Sequence, residues 1–271
     1  MDIDQITDDT IAAQNNAGLI EPWSARYPSI DLETAYLIAS RIDEHRRRQG
    51  WVPAGRKIGF TNREMWSLYG VEYPIWGRLY HHRVVDLSQS GNTVALAGLA
   101  QPMLEPEVVF HFDQVPAPDS GPDQVLDCID WIAGGFEVVQ SHYPDWRFEA
   151  ADTVIDNGLH GLLLLGPRLR RAQFGGWEAV ELEQFSVDLT RDGLTVHQGR
   201  GTNVLGGPQH ALRHLLGLLT GSVDKPRLAA GEMVTTGTLT PAVPIAPGQT
   251  WRVRFSDIEL AEIAVTFEPR P

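Results

Sequence analysis

The sequence predicts an α+β chain, with a helical N-terminal region over residues 1–75 and a mostly antiparallel β body over residues 76–271. Three observations predict it. Apolar residues repeat at helical spacing near the start: Leu32, Ala35, Tyr36, Ala39 and Ile42 share one face. From about "PAGRKIGFTN" onward, short extended runs broken by Gly and Pro replace that spacing. Strands do not alternate with helices, and no Gly-rich fingerprint follows a strand, which argues against a Rossmann or P-loop nucleotide site.

The elements follow in order. A first helix is expected over Ile6 to Ala17. The second starts at Leu32 behind Asp31, a good N-cap, and stops at Gly50. Extended runs are "RVVDL", "PEVVFHF", "LHGLLLLG", "FSVDLTRDGLTVHQG" and "TWRVRFSDIELAEIAVTFE". Asp192-Gly193 between two alternating runs signals a two-residue hairpin. "QVPAPDSGPDQ" is a turn-rich loop. One late helix opens at Pro208 and places Ala211, Leu212, Leu215, Leu216 and Leu219 on a face.

Composition excludes several classes of function. The chain has 271 residues, enough for one large domain with an appendage or for two domains. Its net charge of -13 argues against nucleic acid, whose phosphates need clustered Lys and Arg. The basic stretch "EHRRRQG" reads as a solvated helix end, Arg46 to Arg48 suiting the helix dipole. Cys128 is the only cysteine, so an internal disulfide and a thiolate metal cluster are both excluded; its apolar setting reads as buried and inert. No apolar run reaches the length of a membrane span, and the start lacks the order of a signal peptide, so a soluble cytoplasmic protein is expected.

The chemistry concentrates in "QPMLEPEVVF". On a strand, Glu105 and Glu107 project from one face, roughly 6–7 Å apart, within reach of one cation. An exposed strand face carrying two Glu would read the same way. Glu137, in "GGFEVVQSHYPDW", is followed by two valines just as Glu107 is, and offers a third carboxylate. Three carboxylates plus waters suit Mg²⁺ or Mn²⁺; the lack of H-E-x-x-H or Cys/His spacing makes zinc the poorer choice. Lys57 lies in an apolar, Gly-bounded segment, where a lysine is either partnered or functional. "ADTVIDNGLHG" places Asp152, Asp156, Asn157 and His160 at the mouth of a strand, as site residues or as turn and cap residues. Thr235, Thr236, Gly237 and Thr238 offer hydroxyls and bare backbone to a carboxylate, or form a β corner.

Taken in order, G-x-K-I-G-x-T, E-P-E, Glu137 followed by S-x-Y-x-D-W, A-D-T-x-x-D-N, V-x-G-G-P, and T-G-T-L-T with P-x-x-P-G resemble the hydratase/decarboxylase branch of the fumarylacetoacetate hydrolase superfamily, from about Asp31 to the C-terminus. The resemblance implies a β-roll body as the catalytic domain, a homo-oligomer, and one Mg²⁺ or Mn²⁺ per site on Glu105, Glu107 and Glu137. It makes Lys57 the active-site lysine and assigns Gly237 and Thr238, with Thr236 beside them, to a substrate-carboxylate pocket. It also implies a small 2-oxo or 2-hydroxy acid of aromatic catabolism as substrate, its charge stabilised by the metal as an enolate.

The chain departs from the branch's pattern. Ile75 stands where many hydratases carry Asp, and Gln140, His142 and His160 replace other residues. The leading expectation is a hydratase-type lyase with Lys57, His160 and Asp156 as catalytic residues. The alternative is an acylpyruvate-type C–C hydrolase using the same metal, with His160, His81 or His82 as the base for water. A non-catalytic partner subunit is the third expectation.

Overall fold

The computed structural model describes residues 1–63, 66, 71–117, 120–173, 182–220 and 227–268. Its first helix spans Ile3–Asn16, three residues earlier than the apolar pattern suggests, because Asp2 caps it by accepting from the N–H groups of Asp4 and Gln5. The second, Leu32–Arg48, begins where expected: Asp31 Oδ1 accepts from Thr34 N at 2.8 Å. Ile6, Ile11, Ala35, Ile38 and Ile42 face inward and pack with Ile75, Val154 and Ile155 as a core of their own. Asp152, at the start of the short helix Ala150–Ile155, accepts from both the N–H and the hydroxyl of Ser24 and ties the N-terminal region to the body.

The strands are β1 (Pro53–Gly59), β2 (Ile75–Tyr80), β3 (Val84–Asp86), β4 (Thr93–Val94), β5 (Met103–Phe112), β6 (Ile129–Val139), β7 (His160–Arg170), β8 (Ser186–Arg191), β9 (Leu194–Arg200), β10 (Met233–Thr235), β11 (Val243–Pro244), β12 (Thr250–Ser256) and β13 (Ile263–Phe267). The larger sheet runs β2-β1-β10-β5-β6-β7-β3, with β11 also paired to β5; the smaller runs β4-β13-β12-β8-β9. Most pairs are antiparallel, but β1 with β10, β3 with β7 and β4 with β13 are parallel. The sheets and the helix Pro208–Thr220 enclose the main core, which includes Phe110, Phe136, Val187, Leu215 and Trp251. Asp192 and Gly193 both take positive φ, as the β8–β9 hairpin requires. β1 falls within residues 1–75 yet pairs with β2 and β10 of the body. No helix among the described residues is long and apolar enough to cross a membrane.

Two sequence expectations need correction. Arg46 is not a solvated helix end: it is 3% exposed, with its guanidinium 4.3 Å over the Trp51 ring. The chain after Gly50 turns back across the helix and lays Trp51 on it, a tertiary contact the helix's own spacing cannot announce. Cys128 is only partly buried and donates to Gln124 O, because it sits at the strand's outer end rather than within the core.

Candidate metal centre

The site is built on the centre of the larger sheet. Alternation on β5 aims Glu105 and Glu107 at one face, and the β5–β6 register sets Glu137 opposite Glu105. Pro106 between them is tolerated because, although β6 pairs with β5 on one side, the other edge of β5 has no regular strand partner at that position. The gap between β10 and β11 is filled by a loop whose Leu239 N–H donates to Pro106 O at 2.9 Å. Carboxylate oxygens of Glu105, Glu107 and Glu137 lie within 4.8 Å of one another. Glu107 and Glu137 are fully buried; Glu105 is partly exposed and lines a cavity.

Lys57, projecting from β1, brings Nζ to 3.1 Å from Glu137 Oε2. His160, the first residue of β7, brings Nδ1 to 2.8 Å from Glu137 Oε1. The backbone N–H of Gly237 donates to Glu107 Oε2 at 2.8 Å. Among the described residues, the buried Glu107 Oε1 has no hydrogen-bond donor, and the buried Glu137 Oε2 has only the Lys57 ammonium beside it. Unsatisfied buried carboxylate oxygens are costly, and a hard divalent cation is the partner their chemistry calls for. The residues present therefore fit Mg²⁺ or Mn²⁺.

The electrostatics agree. Burial, with the neighbouring carboxylates adding to it, pushes Glu107 well above the ordinary carboxylate range. Burial likewise pushes Glu105 up to about 7, against the pull of Lys57. Burial would raise Glu137 too, but Lys57 and the His160 hydrogen bond outweigh it and hold Glu137 at about 2. Burial alone would depress Lys57; Glu137, Glu105 and Glu107 more than offset that, and the lysine stays cationic.

The cavity is lined on its apolar side by Phe60, Ile75, Val139, Trp146, Phe148 and Leu159, and on its polar side by Lys57, Thr61, Asn62, Glu105 and Thr238. Gly237 lines it as well, but its N–H is turned to Glu107. Thr236 stands apart from the cavity lining and donates its hydroxyl to Val108 O. Asp156 is also outside it: its carboxylate holds His142 Nδ1 at 2.8 Å and accepts from Gln14. His160 stands behind Glu137 and does not line the cavity. His81 and His82 lie in an exposed turn, with His82 against Trp51. Sequence reasoning missed the aromatic wall of Trp146 and Phe148; "SHYPDWRF" carried it, but nothing in its local pattern fixes which way those rings face.

Fold and site together define a two-sheet protein that gathers three carboxylates able to hold a hard divalent ion. Residues 76–266 match the fumarylacetoacetate (FAA) hydrolase C-terminal family, and the chain belongs to it. It is 30% identical over 257 residues to a 2-hydroxyhexa-2,4-dienoate hydratase of Comamonas testosteroni, covering 94% of each chain. It is 29% identical to a 4-oxalocrotonate decarboxylase of Pseudomonas sp. (strain CF600), covering 86% of this chain and 84% of the other. Among solved structures, the 4-oxalocrotonate decarboxylase of Pseudomonas putida G7, complexed with magnesium and adipate, superposes with a TM-score of 0.88 at 26% identity, over 98% of this chain and 97% of that one.

Proposed function

We propose that the chain is a divalent-metal-dependent, hydratase-type lyase acting on a small unsaturated 2-oxo or 2-hydroxy acid of aromatic catabolism. The observation that carries this reading is the cluster of Glu105, Glu107 and Glu137, with the buried Glu107 Oε1 unpartnered among the described residues, beside Lys57 at the head of a partly apolar cavity. Relatives named as hydratase and decarboxylase match nearly the whole chain, which supports the same reading.

Glu105, Glu107 and Glu137 would hold the ion, and when bound it supplies Lewis-acid stabilisation of negative charge on the oxo acid. Lys57 is the one cation among the described residues lining the cavity; it orients the substrate's anionic end and is placed to move a proton at Nζ. Gly237 fixes the rotamer of Glu107, and His160 fixes that of Glu137. Trp146, Phe148 and Leu159 keep bulk water from the unsaturated part of the substrate. Thr238 and Asn62 offer polar contacts at the other wall. The C–C hydrolase reading needs a histidine facing substrate, and His160 is committed to Glu137 instead. The reading includes a homo-oligomer in the cytoplasm and the body from residue 76 as the catalytic domain.

The test is direct. Protein with Mg²⁺ and a 2-hydroxydienoate is expected to bleach the diene's ultraviolet band, and Glu107→Ala to abolish both Mg²⁺ binding and bleaching with the fold retained. Release of pyruvate and a free acid from an acylpyruvate, with the dienoate untouched, would replace the lyase by the hydrolase. Metal binding with no turnover of either would leave the partner-subunit reading.

A further inference from the structure

A second cavity, of about 120 Å³, lies between the helix Leu32–Arg48 and strand β2. None of the three glutamates lines it. His160 does, so this side chain stands between the cavity and Glu137. The volume is of the order that admits one aromatic ring. Rings supply much of the wall: Tyr36 stacks on Trp76 at 5.3 Å, and Trp51 meets Tyr80 edge-on at 5.1 Å.

The charge of the lining is lopsided. Arg46, Arg78 and Arg83 line the cavity against one acid, Asp43. Asp43 is already engaged: its carboxylate accepts from Arg47 at 3.0 Å, Arg78 at 2.7 Å and the Tyr80 hydroxyl at 2.8 Å. Among the described residues, the hydrogen bonds of Arg46 go to neutral amide oxygens, those of Gln14, Asn15 and Gln49. Among the described residues, three lining side chains carry a buried N–H with no hydrogen-bond partner: Arg46 Nε, Trp76 Nε1 and Arg78 Nη1. Arg46 is 3% exposed and Arg78 8%. Buried donors without acceptors, around a space with surplus positive charge, are the signature of an anion's seat.

We propose that this cavity is a second ligand site, distinct from the metal centre, that takes a small aromatic or conjugated monocarboxylate. The carboxylate is held by the arginine forks, which match its geometry, and the flat body lies among the rings of Trp51, Trp76 and Tyr80. The proposal does not rest on the catalytic reading.

Benzoate, followed by titration calorimetry on the full chain, is the probe. Wild-type protein is expected to bind it saturably at one site per chain. Arg78→Gln should weaken binding by about tenfold or more, as loss of a charge-assisted fork does. Because Arg78 also holds Asp43, Arg83→Gln serves as the milder variant and should weaken binding in the same direction. Ala39→Phe and Ser40→Phe place a ring in the cavity and should abolish benzoate binding while Mg²⁺ binding is retained. Absence of saturable binding to wild type overturns the proposal. So does binding unchanged in both ring-filling variants, or displacement of benzoate by Mg²⁺ with oxalate, which would put it at the glutamates. Acetate or inorganic phosphate binding as tightly as benzoate would overturn the assignment of an aromatic body.

Discussion

The backbone N–H of Gly237 donates to Glu107 Oε2 at 2.8 Å, from a backbone with φ of 96° that packs against Thr61. A Cβ on Gly237 would lie 1.7 Å from Thr61 Oγ1. Gly237→Ala must therefore move the loop away from Thr61 and carry the donor off Glu107, at a backbone cost of about 1–3 kcal/mol. The expected outcome is Mg²⁺ affinity lowered by about tenfold or more and a melting temperature lowered by several degrees, about what that cost implies for a chain of this size. Calorimetry and a thermal melt check both; wild-type metal affinity in a folded Gly237→Ala protein would refute the coupling.

His160 touches Glu137, and on the proposed function it acts on the site through that carboxylate. Replacing the donor behind a metal-ligating group costs about 10–100-fold in metal affinity. His160→Gln should show that loss and regain most of its turnover when Mg²⁺ is raised to saturation. A general base facing the substrate behaves otherwise: turnover would stay low at any Mg²⁺ concentration. The Mg²⁺ dependence of kcat distinguishes the two roles.

Lys57 lies 3.1 Å from Glu137 and is buried with it. Lys57→Met removes the cation that holds Glu137 ionised and, on the proposed function, the proton carrier. A drop in kcat of about 10²–10⁴ is expected, the range for loss of a positioned proton-transfer group. Steady-state kinetics with saturating Mg²⁺ measure it. A rise in KM alone would make Lys57 a binding residue only.

Much of the chain's architecture was legible because it rests on periodicity. Alternation placed Glu105 and Glu107 on one face, and the Asp192-Gly193 pair located a hairpin. What brings Glu137 to them is the register of β5 with β6, a long-range pairing that local pattern does not encode. The same limit explains Asp156 and His160. Both sit beside an Asn-Gly turn, but only the fold shows that Asp156 turns to His142 while His160 turns to Glu137. Arg46 misled for a related reason: three consecutive arginines look alike in sequence, and only the return of Trp51 across the helix separates the buried one from its neighbours.

The helix Leu32–Arg48 carries Asp43 and Arg46 to the second cavity, and its first turn is held by Asp31. The Thr34 N–H at 2.8 Å lowers the Asp31 pKa, so the carboxylate form is favoured by folding. A group whose pKa is depressed in the folded state contributes stability above its unfolded pKa, about 3.9, and loses it as pH falls through the folded value. Asp31→Ala should therefore melt at a lower temperature than wild type at pH 7, and the difference should shrink as the pH falls below about 4. Asp31→Asn keeps a capping oxygen and forgoes the charge, so it should lie between the two at pH 7 and show no such shrinkage relative to Asp31→Ala. Thermal melts of the three proteins across that pH range measure it. A wild-type advantage over Asp31→Ala that stays constant into acid would mean that packing at position 31, rather than the ionised cap, holds the helix start.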